Sequence, residues 1–82
     1  MKGNDEVIFS KNPLTELADW GREKVAVYSE DESVFKLFSQ DKRCLKADVY
    51  RRNGKWLASD CYFPKDYKET LAKRLKRLGI IK

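Results

Sequence analysis

Asn53-Gly54, set between two runs of strand-forming residues, restricts the fold more than any other feature of the chain. Both central residues of a type I′ turn take positive φ, which Asn and Gly tolerate best, so the flanking runs are expected to pair as a β-hairpin. A two-residue turn also sets the register. Val49 should face Ala58, Ala47 should face Asp60, Leu45 should face Tyr62, and Arg51 should face Trp56. One hairpin face then carries Leu45, Ala47, Val49, Trp56, Ala58 and Tyr62, interrupted by Asp60. The other carries Lys46, Asp48, Tyr50, Arg52, Lys55, Leu57, Ser59, Cys61 and Phe63. The first face is expected to be core and the second open to water.

The segments around the hairpin read as helices and one more strand. Asn12-Pro13 has the chemistry of a helix start, and Leu14, Leu17 and Ala18 follow at helical spacing, with Trp20 closing the face and Gly21 as the stop. Lys24 to Tyr28 reads as a covered strand. Ser29 and Glu32 have the spacing of a capping box, with Val34, Leu37 and Phe38 as the buried stripe of a helix running to about Gln40. Pro64 should end the hairpin and start the last helix, with Tyr67, Leu71, Leu75 and Leu78 on one face and Gly79 as its stop. Residues 1–10 read as an N-terminal arm or a short strand. The expected fold is a single α+β domain over residues 1–82, in the order α-β-α-β-β-α. Its three-stranded sheet would have the helices packed on one face.

Composition removes most chemistry. The chain has 82 residues, is 38% charged, and contains no histidine, so His-based triads, imidazole bases and His metal ligands are excluded. There is no glycine-rich phosphate loop and no nucleophile elbow. Cys44 and Cys61 alone cannot complete a structural zinc site, and they are expected to be free thiols in a reducing cytoplasm. Asp48 and Asp60 fall on opposite hairpin faces in the expected register, which argues against a two-carboxylate hydrolase. Trp20 and Trp56 read as anchors at the core or its edge. No apolar run is long enough to span a membrane. No enzyme is expected, and no catalytic residue, cofactor or metal is assigned.

What remains is charge. The net charge is +5, but residues 1–41 carry five basic and nine acidic residues, whereas residues 42–82 carry thirteen basic and four acidic. Such asymmetry points to interaction surfaces. The leading candidate is the outer face of the last helix, with Lys73, Arg74, Lys76 and Arg77, preceded by Lys65 and Lys68. Clustered Lys and Arg gain free energy by releasing counterions from nucleic-acid phosphates. A second contact is the hairpin tip, with Arg51, Arg52 and Lys55, and with Tyr50 placed to stack on a base. The expected function is therefore non-enzymatic binding to a DNA or RNA backbone. The alternative is a protein-interaction module, an adaptor or inhibitor resembling the small proteins that phages and mobile elements encode. It would dock an acidic surface, or form a homodimer between its oppositely charged ends.

Lys11-Asn12-Pro13-Leu14-Thr15-Glu16-Leu17 resembles the opening helix of double-stranded RNA-binding domains, and a lysine-bearing last helix after an Asn-Gly hairpin is similar to theirs. That family runs helix, three strands, helix. Here a helix at Val34–Phe38 interrupts the order, and only Lys65 and Lys68 loosely match the family's lysine cluster, so its function is not carried over.

Overall fold

The computed structural model describes residues 8–11 and 13–80, with side chains from Pro13 to Ile80. Its elements are β1 (Ile8–Lys11), β2 (Leu14–Trp20), β3 (Lys24–Ser29), α1 (Glu32–Ser39), β4 (Lys46–Arg52), β5 (Lys55–Pro64), a 3-10 turn (Lys65–Tyr67) and α2 (Lys68–Arg77). The architecture is α+β. Strands β2, β3, β5 and β4 form an antiparallel sheet in that order, and β1 extends it at the β2 edge. Both helices lie against one face. Val34 and Phe38 of α1 and Leu71 and Leu75 of α2 pack with Leu17, Val25, Val27, Cys61 and Phe63 of the strands.

The expected first helix is a strand. Leu14 to Trp20 pairs residue by residue with β3, from Thr15 opposite Ser29 to Trp20 opposite Lys24. The apolar spacing of Leu14, Leu17 and Ala18 allows a helix, but Thr15 is as buried as Leu17. Counting Thr15 as an interior residue restores a period of two, and pairing with β3 decides the outcome. Gly21, at φ 73°, turns the chain into β3. The sheet consequently has two strands more than expected. Of residues 1–10, Ile8–Ser10 lie in β1, while residues 1–7 and Asn12 lie outside the described residues. With the opening segment a strand, the resemblance to double-stranded RNA-binding domains loses its first motif.

The hairpin turn forms where expected, with Asn53 and Gly54 both at positive φ. Its register matches only at the tip. Arg51 faces Trp56, but Tyr50 faces Ala58, so Leu57 is an extra residue in a β-bulge. Below the bulge every pairing shifts by one, and Ala47 faces Cys61 while Lys46 faces Tyr62. A one-residue shift turns a strand over. Cys61 and Phe63 therefore join the helix-side core, and Ala58, Asp60 and Tyr62 lie on the other face, where Ala58 and Tyr62 are still buried as expected. Leu45 and Leu57, at the uncovered edge, are exposed.

Helix α1 starts later than the capping box suggested. Asp31 is its N-cap and accepts from the Ser33 amide at 2.9 Å. Ser29 is buried instead, 2.8 Å from the Thr15 hydroxyl, and accepts from the Asp31 amide. The last helix is preceded by a 3-10 turn, and Leu71 and Leu75 are fully buried, but Leu78, the C-cap beyond the end of α2, is half exposed. Gly79, at φ 76°, closes a Schellman motif: its amide donates to Lys76 and that of Ile80 to Leu75. Ile80 thereby returns to the core, as expected of the Ile80-Ile81 pair, whose second member lies outside the described residues.

Candidate nucleic-acid interface and the open sheet face

Folding uses up part of the charge asymmetry. The acidic first half supplies Asp19 and Asp41, and each carboxylate lands beside cations of the basic half. Asp19 accepts from Lys68 Nζ at 3.0 Å and lies 3.7 Å from Lys65 Nζ, which also donates to the Gly21 carbonyl. The Lys68 hydrogen bond holds the Asp19 carboxyl below its ordinary range against the opposing effect of burial. Asp41 accepts from Arg74, from the Tyr67 hydroxyl at 2.9 Å and from the Arg43 amide at 2.7 Å. Burial pushes the Asp41 carboxyl up, but these three donors outweigh it and hold the group low. The Arg74 guanidinium also lies over the Phe38 ring, 4.7 Å from its centroid. Three of the cations read from the sequence as binding residues, Lys65, Lys68 and Arg74, thus have partners within the fold.

The other cations of α2 do not. Lys73, Lys76 and Arg77 are exposed and make no ion pair among the described residues. Their spacing of three and four residues places them along one side of the helix, opposite the buried Leu71 and Leu75. Arg51, Arg52 and Lys55 at the hairpin tip are likewise exposed and free of ion pairs. The tip and the start of the α2 segment lie at opposite ends of the ten-residue β5, a separation of roughly 30 Å. Arg51 nevertheless shares the helix side of the sheet. Its cross-strand partner Trp56 stacks against Phe35 of α1 at 5.6 Å and donates its indole N–H to the Glu30 carbonyl at 2.9 Å.

Tyr50 is remote from α2 but shares its face of β4 with Arg52, two residues further along the strand. It lies on the helix-free face and donates to Asp60 at 2.7 Å, and that carboxylate raises its hydroxyl above the ordinary tyrosine value. The same face carries Trp20, which the sequence placed at the core or its edge but which is 59% exposed. Trp20 packs on Tyr62 with ring centroids 5.7 Å apart. Across the middle of this face runs a row of paired positions, Glu16 with Tyr28, Tyr28 with Asp60, and Asp60 with Asp48. Asp48 and Asp60, expected on opposite faces, are therefore direct neighbours. Burial raises the Tyr28 hydroxyl, and the carboxylates of Glu30, Asp60 and Glu16 add to the shift. The sequence signal for this surface was the alternation of Glu16, Ala18 and Trp20, which a helical reading of the segment hides.

Cys44 and Cys61 are free thiols, and burial pushes the Cys61 thiol up to about 12. Among the described residues no group of His, Cys, Asp or Glu is arranged to hold a metal ion, and no helix is long and apolar enough to cross a membrane. Comparison with protein families, with curated proteins and with solved structures finds no match to the chain.

Proposed function

We propose that the chain is a non-enzymatic binding module whose ligand is the phosphate backbone of a nucleic acid. The observation that carries this reading is the sorting of the cations on α2. Those near the body of the protein are neutralised by Asp19 and Asp41, while Lys73, Lys76 and Arg77 face solvent without ion-pair partners among the described residues. An exposed row of unpaired cations on a helix is suited to track phosphates and carries little sequence preference by itself. Arg51, Arg52 and Lys55 at the hairpin tip serve as a second contact. Titration of labelled duplex and single-stranded probes at low salt tests the reading. The triple variant K73E/K76E/R77E should bind both far more weakly while remaining folded, its melting temperature lowered by only several degrees by acids at the helix C-terminus.

A second reading, as a protein-interaction module, is favoured by one specific observation. The helix-free sheet face combines an exposed tryptophan with carboxylates, a surface that would repel phosphates. Capture of a partner that survives nuclease treatment, and that persists in the α2 triple variant, would support it.

A further inference from the structure

The helix-free face contains a groove of about 230 Å³ between β2, β3 and β5. Its floor is the cross-strand pair Ala18 and Ala26. Trp20 stands at one end, and Tyr28 lies at the other between the flanking positions Glu16 and Asp60. Asp19 borders the groove, but its carboxylate points to the helix side, where Lys68 and Lys65 hold it, and no cationic residue lines the groove. Asp60 accepts one hydrogen bond from Tyr50. Glu16 has no ion pair or hydrogen bond through its side chain among the described residues.

The groove's size and chemistry limit what it can take. Its volume is below the ~300 Å³ at which sites for drug-sized ligands begin, which suits one long side chain better than a cofactor. Aromatic rings attract cations through their faces, and a planar guanidinium also stacks on them. Carboxylates on both sides of Tyr28 supply the complementary charge. Directly opposed like charges on a sheet are destabilising, and the Asp48–Asp60 pair is only partly answered by Lys46, 3.8 Å from Asp48. A cation seated beside Asp60 would relieve that repulsion.

We infer that the groove over Ala18 and Ala26 is a docking site for an arginine side chain of a partner protein, with the aliphatic stem against Trp20 and the guanidinium at Tyr28 between Glu16 and Asp60. This site is independent of the phosphate-binding reading. It lies on the opposite face of the sheet from α2 and has the opposite charge, so a single chain could hold a nucleic acid and a basic protein segment together.

The test is a titration of the full chain with acetyl-arginine amide, followed by backbone amide chemical shifts. Acetyl-citrulline amide, which has the same shape without the charge, is the control. Saturating shifts should centre on Ala18, Trp20, Ala26 and Tyr28, with arginine binding at least about tenfold more tightly than citrulline. Glu16→Gln should weaken arginine binding several-fold and leave the spectrum elsewhere unchanged. Trp20→Ala should weaken both probes. Equal binding of the two probes, shifts spread over the exposed acids of α1 and α2, or no saturable shift at these residues would overturn the inference. Shifts at the same residues that grow with protein concentration before any probe is added would assign the groove to a second copy of the chain, and would overturn it as well.

Discussion

The Arg74 guanidinium closes on the Asp41 carboxylate while its flat face covers the Phe38 ring. One residue of α2 thereby fixes the chain leaving α1, and the most basic segment of the protein gives up one cation to its own fold. Asp41 has three donors and its side chain is only 10% exposed. Replacing it by Asn removes the charge from a nearly buried network and leaves Arg74 without its counter-charge. Asp41→Asn should therefore destabilise the protein by about 2 kcal/mol in chemical denaturation near neutral pH.

The same carboxylate makes stability sensitive to acid. Its pKa in the folded protein lies below the ordinary 3.8, so its contribution is complete above that value and is lost as pH falls through the lower folded-state value. Asp19 is lowered as well, chiefly by its hydrogen bond from Lys68, and acts in the same direction. Between about pH 5 and pH 2 the wild type should lose more stability than Asp41→Asn, and the two should converge at the acid end. Melting curves across that range check both the sign and the convergence.

Ser59 carries a buried hydroxyl without a hydrogen-bond partner among the described residues, opposite Ser29 on β3. Leaving a buried polar group unsatisfied costs free energy, and removing it restores what was lost on desolvation. Ser59→Ala should be neutral or should stabilise the protein by up to about 1 kcal/mol. Ser29→Ala, which breaks the contact with Thr15 and the bond from the Asp31 amide, should destabilise by about 1 kcal/mol or more.

The two cysteines should separate by reactivity. Cys61 is in the core and its thiol is pushed up to about 12, whereas Cys44 is half-buried. The thiolate is the reactive form. With a thiol-specific reagent at mildly alkaline pH, one equivalent should react promptly. The second should follow at least about a hundredfold more slowly, accelerating only under denaturing conditions. Mass spectrometry should place the first label on Cys44.

Local signals in the sequence were readable where a single residue's chemistry decides the geometry. Asn53-Gly54 marked the turn, Pro64 the end of the hairpin and Gly79 the helix stop, because each follows from φ preferences of the residue itself. Features that depend on distant pairing were not readable. Nothing local distinguishes Leu57 as a bulged residue, yet that single insertion inverts the faces of β5 and moves Asp60 beside Asp48 in the open. Leu14–Trp20 allowed both periods until β3 supplied hydrogen-bond partners. The candidate cations were all visible as residues. Which of them remain free was not, since Asp19 and Asp41 reach Lys65, Lys68 and Arg74 only through the fold.

The most direct test of the proposed function is the salt dependence of duplex binding, measured for the wild type and for K73E/K76E/R77E. Each phosphate neutralised on duplex contributes about −0.9 to the slope of log Kobs against log salt. Contacts from Lys73, Lys76 and Arg77 predict a slope of about −3, steepening toward about −5 if the hairpin tip joins through Arg51, Arg52 and Lys55. The triple variant should bind weakly, with a slope shallower by about 3. A wild-type slope near zero, or one that the triple variant leaves unchanged, would contradict the account.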